Sequence, residues 1–223
     1  MFLSGCGSSK LCQEGTIKLE QKKYEEAFDL FQEYGNSTGN MEPLSNAYYS
    51  YAQELFEQKK FLETLRYLVL SNSDNSSNKL FGEAVEELYT SGLQFLDNDE
   101  QLMAFVYLGS IQKYKEVQKF IPENALYGIW QSENNYLKVT DNSLSYMYSE
   151  IQVTSDEFAE HSDQYLLILG DWKVESPGQI TIDDHYLTHS NDNYLEYIEV
   201  KDNDTIMVYG SSLIEGEYKR IIK

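Results

Sequence analysis

Between about residue 11 and residue 121 apolar side chains recur at helical spacing, β-branched runs are almost absent and helix breakers are few. The period changes at Ile121-Pro122-Glu123-Asn124. Pro122 cannot continue a helical ladder, and beyond it apolar and polar residues alternate, with turn signals at short intervals. Leu137-Lys138-Val139-Thr140 reads as a strand turned by Asp141-Asn142, and Tyr165-Leu166-Leu167-Ile168-Leu169 as a buried strand bent away at Gly170-Asp171. Pro177-Gly178, Asp183-Asp184, Asn191-Asp192-Asn193 and Asp202-Asn203-Asp204 supply further turns. The pattern predicts an α+β chain in two domains. Residues 11–121 form an all-α domain of helical hairpins, and 126–223 an antiparallel β-barrel or sandwich of about eight or nine strands. Residues 1–10 belong to neither.

Compared with itself, the helical part repeats. Gly15, Tyr24, Ala27 and Phe31 share their spacing with Ala52, Phe61, Thr64 and Leu68, and again with Gly92, Gln101, Ala104 and Leu108. This resembles the tetratricopeptide repeat (TPR) family. There a small residue in the first helix lets the second approach, an aromatic opens the second, and a small and then a large apolar residue follow. Gln21-Lys22-Lys23-Tyr24-Glu25-Glu26-Ala27 fits best, and Gln58-Lys59-Lys60-Phe61 follows it closely. Thr64 in a small slot and Gln101 in the aromatic slot depart from the pattern. The spacings of 37 and 40 residues between Tyr24, Phe61 and Gln101 exceed the family period of about 34, with loops 35–40 and 71–78 supplying the excess. One hairpin cannot bury its apolar face alone, but stacked hairpins make a continuous core. The segment from Met103 to Phe120 is expected to finish the stack. Phe28, Leu30, Phe56, Leu65, Leu88, Phe95 and Phe105 are expected in that core. The resemblance implies a concave groove for a peptide or protein partner.

Tyr127-Gly128-Ile129-Trp130 opens the β part and resembles the G-x-W of lipocalins and related barrels. The resemblance implies structural roles for Gly128, Trp130 and Arg220, with Trp130 closing one end of the barrel and Arg220 from the last strand stacked on it. The segment is short for a barrel with a deep cavity, so a small or filled one is expected. Tyr146, Tyr148, Phe158, Trp172, Tyr186 and Tyr197 are the side chains expected to fill it.

Leu3-Ser4-Gly5-Cys6 resembles the lipobox of bacterial lipoproteins. The resemblance implies a diacylglyceryl group on Cys6, a mature chain starting there, and an extracytoplasmic protein anchored to a bacterial membrane by lipid. Gly7-Ser8-Ser9 would serve as a flexible tether. Such a signal needs an apolar stretch of about 7–15 residues, and five residues precede Cys6. The precursor is therefore expected to begin upstream. A lipid on Cys6 would exclude an intrachain disulfide with Cys12, leaving stability to packing.

Composition narrows the rest. The net charge of −20 in 223 residues opposes a phosphate backbone, so no nucleic-acid partner is expected. No apolar run approaches the length of a membrane-spanning helix. Nineteen tyrosines offer large amphipathic surfaces without pointing to one ligand. His185 and His189, near Asp183 and Asp184, would lie about 13 Å apart on one strand face, too far to share a metal. His161 reads as a loop residue. Asp97-Asn98-Asp99-Glu100 lacks the glycine and distal glutamate of a calcium loop and reads as a cap for the following helix, while Asp202-Asn203-Asp204 reads as a hairpin turn. No serine sits in a nucleophile elbow. The sequence therefore predicts no enzyme: no catalytic residues, no metal and no cofactor. It predicts binding or assembly through the helical groove, with the β-barrel as carrier of a small apolar ligand the alternative.

Overall fold

The computed structural model describes residues 9–73, 78–122, 124–133, 135–140, 143–148, 166–169, 172–182, 186–187, 195–210 and 214–222. Cys6, His161, His185 and His189 lie outside them. So do Phe158, the turns at 141–142, 170–171, 183–184 and 191–193, and the side chains of Tyr146, Tyr148, Trp172 and Tyr186.

Six α-helices come first among the described residues: α1 (Lys10–Glu20), α2 (Tyr24–Thr38), α3 (Glu42–Glu57), α4 (Phe61–Leu70), α5 (Lys79–Asp97) and α6 (Gln101–Ile111). A 3-10 turn, Gln118–Phe120, leads to the strands: β1 (Gly128–Ser132), β2 (Asn135–Val139), β3 (Ser143–Tyr148), β4 (Leu166–Leu169), β5 (Trp172–Ser176), β6 (Gln179–Ile182), β7 (Tyr186–Leu187), β8 (Leu195–Asp202), β9 (Thr205–Gly210) and β10 (Gly216–Ile222). Helices thus precede an antiparallel sheet. By packing, the chain divides into Met1–Glu87 and Leu88–Lys223. The division falls inside α5, and α6 belongs with the sheet.

The three helical hairpins share one local design. The second helix of each begins at the residue in the aromatic slot, Tyr24, Phe61 or Gln101. The first helix ends in the same turn each time. Lys22, Lys59 and Asp99 take left-handed φ values of 58°, 60° and 62°. In each turn the amide of that residue and the next one reach back to carbonyls of the last helical turn, as Lys22 N to Leu19 O and Lys23 N to Lys18 O illustrate at 2.9 Å. This doubly bonded stop satisfies orphan carbonyls and usually employs glycine. Here two lysines and an aspartate carry it.

In the first unit, Gly15 faces the ring of Phe31, where a Cβ would lie 2.7 Å from Cε1. Cys12, Ala27, Phe28, Phe31, Tyr34, Leu44 and Ala47 form a buried cluster. Leu65 is buried as well, whereas Leu30 and Phe56 are half-buried. Ser45 Oγ donates to Ser71 O at 2.7 Å, tying the start of α3 to the end of α4. Cys12 is fully buried in that cluster.

In the second unit α6 has no polar face. Leu102, Ala104, Val106, Leu108 and Ile111 are each within 2% of full burial, as an all-apolar helix requires. One side meets α5, where a Cβ on Gly92 would lie 2.6 Å from Leu108 Cδ2 and Phe95 meets Tyr107 edge-on at 4.9 Å. The other side meets β5, where a Cβ on Gly109 would lie 2.5 Å from Val174 Cγ2. Ser110 Oγ accepts from Gly178 N at 3.0 Å. The amide of Leu102, orphaned at the start of α6, donates to Asn203 Oδ1 at 3.0 Å. The cap expected from Asp97-Asn98-Asp99-Glu100 thus comes from the β8–β9 turn, 101 residues on.

The strand order is β5-β6-β8-β9-β10-β1-β2-β3-β4-β7. The first and last strands are neighbours, and every pairing is antiparallel. β5 and β7 are the two ends, so among the described residues the sheet is open rather than a closed barrel. Trp130 lies across from Leu137 and Arg220, Tyr218 from Ile206, Val208 from Ile198, Ile198 from Ile180, and Ile180 from Val174. Cross-strand partners share a face, so these side chains make one apolar surface, all of it buried save half-buried Arg220.

Candidate functional site

Among the described residues, a dense group of aromatic side chains near the surface comes from three helices of the first unit. On α2, Tyr24 and Phe28 stand one turn apart, on α3 Tyr48 and Tyr51 do the same, and α4 adds Tyr67. Residues three or four apart share a helix face. Tyr24 stacks on Tyr51 at 4.3 Å between centroids. Phe28 meets Tyr48 edge-on at 4.7 Å, and Tyr51 meets Tyr67 likewise at 4.7 Å. Phe28 and Tyr48 each lie 5.7 Å from Tyr67. Phe28 is the buried floor, and the four tyrosines are half-buried around it. Offset and edge-to-face contacts of this kind hold rings in fixed positions.

One edge of the cluster is a polar knot. Tyr24 Oη donates to Glu54 Oε2 at 2.5 Å, and Lys22 Nζ approaches the same oxygen at 2.9 Å. Gln58 Nε2 donates to Glu54 Oε1 at 3.3 Å. Hydrogen bonds from Lys22 and then Tyr24 hold the Glu54 carboxyl below the usual range. Burial, with Glu54 beside it, pushes the Tyr24 phenol up. Elsewhere the rim carries Glu25, Asp29 and Glu63, with Arg66 acting on Tyr67 in the opposite sense. Burial and the charge of Glu25 raise Tyr48, Tyr51 and Tyr67, the last to about 12. Asp29 adds to the effect at Tyr48 and Glu63 at Tyr51. Among the described residues the hydroxyls of Tyr48, Tyr51 and Tyr67 make no hydrogen bond. Near neutrality these phenols stay protonated and Glu54 stays ionised.

Two shallow grooves flank other helix pairs. One of about 510 Å³ is lined by Glu14, Ile17, Lys18, Glu26, Asp29 and Leu30, with Ile17 half exposed. The other, about 600 Å³, is lined by Phe56, Lys79, Gly82, Glu83, Glu86 and Glu87.

The residues implied by the lipocalin resemblance meet in the second unit. Gly128 takes φ +137°, a conformation that favours glycine. Trp130 is fully buried and its Nε1 donates to Leu126 O at 3.1 Å. Arg220 Cζ lies 4.4 Å from the Trp130 ring centroid, and Nη2 donates to Ala125 O at 2.5 Å. Arg220 Nε is buried with no partner among the described residues. Burial lowers the guanidinium pKa. The pair fastens the segment before β1 onto β10 and leaves little of Arg220 for a ligand.

Sequence reasoning did not single out the tyrosine cluster. Its members are separated by loops, and the available signal was the i, i+4 pair Tyr24/Phe28 and the i, i+3 pair Tyr48/Tyr51. Among the described residues no three His, Cys, Asp or Glu side chains gather as a metal site, and no helix is long and apolar enough to cross a membrane. No family model, no curated protein and no solved structure matches this chain.

Proposed function

We propose that this protein is an extracytoplasmic binding or assembly module, tethered to a bacterial membrane through lipid on Cys6. Its TPR-like hairpins hold a protein or peptide partner, and its lipocalin-like β part is a second, filled surface. The observation that carries the reading is the fixed, half-buried cluster of Tyr24, Tyr48, Tyr51 and Tyr67 across three helices. Tyrosine is enriched at interfaces because it gives large contact area at low entropic cost. The alternative, a carrier of a small apolar ligand, needs an apolar cavity of a few hundred Å³. The burial of Trp130, Leu137, Ile206, Val208 and Tyr218 at the centre of the sheet argues against it.

The test is photocrosslinking in membranes, with p-benzoylphenylalanine in place of Tyr51 and, separately, of the exposed Gln94. A discrete crosslinked product from position 51 alone supports the reading. No product from either position, or identical products from both, removes it. Tethering is decided by fatty-acid labelling of the precursor with Cys6→Ser as control. Label that persists in Cys6→Ser, or that is absent throughout, ends the anchor proposal.

A further inference from the structure

We propose that the occupant of the tyrosine cluster is a basic peptide segment, with arginine or lysine side chains set against the rings of Tyr48, Tyr51 and Tyr67 between Glu25, Asp29 and Glu63. This rests on the binding-module reading and names the chemistry of its partner. Ring faces carry the negative lobe of the aromatic quadrupole and attract cations held within about 6 Å. Glu25 stands one turn before Phe28 and Asp29 on α2, and Glu63 one turn before Tyr67 on α4; their charges act on the rings, Glu25 on all three, with Arg66 opposing at Tyr67. Lys22 is committed to Glu54 at 2.9 Å. The hydroxyls of Tyr48, Tyr51 and Tyr67, without hydrogen bonds among the described residues, can accept from a guanidinium or ammonium.

An apolar partner would desolvate these carboxylates without replacing their water, and an acidic one would meet like charge on a chain of net charge −20. A cation satisfies both the rings and the carboxylates. Arginine suits the site better than lysine because its planar, weakly hydrated fork stacks on aromatic faces and bonds carboxylates in pairs. The interlocked rings already hold their positions, so little side-chain order has to be created on binding.

The experiment is isothermal titration of the whole chain with hexa-arginine at physiological salt, where attraction between distant surface charges is screened. Saturable binding is expected. Glu25→Gln, at an exposed position that leaves folding intact, should weaken it about three- to tenfold, and Tyr67→Leu by a similar factor. Glu86→Gln, in the groove lined by Phe56 and Lys79, should change it less than twofold. Equal weakening by Glu25→Gln and Glu86→Gln would mean diffuse attraction to an acidic surface and overturn the proposal, as would the absence of binding. If hexa-arginine fails while crosslinks from position 51 persist, the basic occupant is wrong and the binding module stands. If both fail, both readings fall.

Discussion

Replacing Gly92 and Gly82 by alanine, one at a time, makes the same chemical change twice in one helix with opposite expected outcomes. In a helix interior alanine is favoured over glycine by about 1 kcal/mol. At Gly82 the new methyl meets nothing within 4 Å. The gain survives there, reduced to about 0.5–1 kcal/mol near the start of α5. At Gly92 the methyl lies 2.6 Å from Leu108 Cδ2 and 2.7 Å from Cγ, about an ångström inside normal carbon contact. Leu108 is fully buried in a helix buried on every side, so it has no open space to move into. Overpacking of this kind costs about 1–3 kcal/mol and outweighs the propensity gain. The net effect is a loss of up to about 2 kcal/mol. Thermal unfolding followed by far-ultraviolet circular dichroism should show Gly82→Ala raising the midpoint and Gly92→Ala lowering it, by about 2–4 °C per kcal/mol for a chain of this size. Leu108→Ala should make Gly92→Ala far less costly in the double variant, because the overlapping atoms are gone. A rise in midpoint for Gly92→Ala would refute close approach of α5 and α6 at this point.

Lys59→Gly relieves a left-handed residue, φ 60°, and should stabilise by about 0.5–1 kcal/mol in urea unfolding. Lys22→Gly should gain less, because it also removes the 2.9 Å contact with Glu54. Arg220→Met deletes the contact with Trp130 and the bond to Ala125 O and should cost about 1–3 kcal/mol; a loss under 0.5 kcal/mol would deny the pair its fastening role. Glu54 has a depressed folded pKa, so its stabilising contribution is present above the ordinary carboxyl range and lost as pH falls through the folded value. Stability measured from pH 6 down to 3 should fall less steeply in Glu54→Gln. Tyr67 is raised to about 12, so the unfolded chain ionises first and stability should decline from about pH 10 upward. Tyr67→Phe should flatten that alkaline limb in urea midpoints.

The helical half was legible where one residue type had one physical reason to be present. The small residues Gly15 and Gly92 mark close approach, and the repeat spacing put Tyr24, Phe61 and Gln101 where α2, α4 and α6 begin, although Gln101 lacks the aromatic ring expected in its slot. The stops between the paired helices were not legible, because Lys22, Lys59 and Asp99 occupy turns where glycine is the usual signal. The packing division inside α5 was hidden for another reason. Helical periodicity continues through Glu87 and Leu88, and only the apolar surface all round α6 hints that a second partner lies beyond α5. Asn203 could not be read as a cap for α6, since capping rules are local and this bond is not. The tyrosine cluster assembles from three helices, and what periodicity predicts is which face a residue occupies, not which faces meet.

The tenth strand has a consequence for biogenesis. β10 lies between β9 and β1 in the sheet, yet it is the last of the ten to be made. Until it emerges, β1 with its followers and β9 with its predecessors are two separate ribbons, each exposing an unpaired edge that can recruit other chains. The α1–α2 and α3–α4 hairpins bury their contacts with near neighbours and can form in order of synthesis. The sheet must wait for a single late insertion. A ribosome stalled before Gly216 would therefore carry folded hairpins beside an aggregation-prone half-sheet, and chaperone demand during synthesis should rise late and fall abruptly once β10 is free.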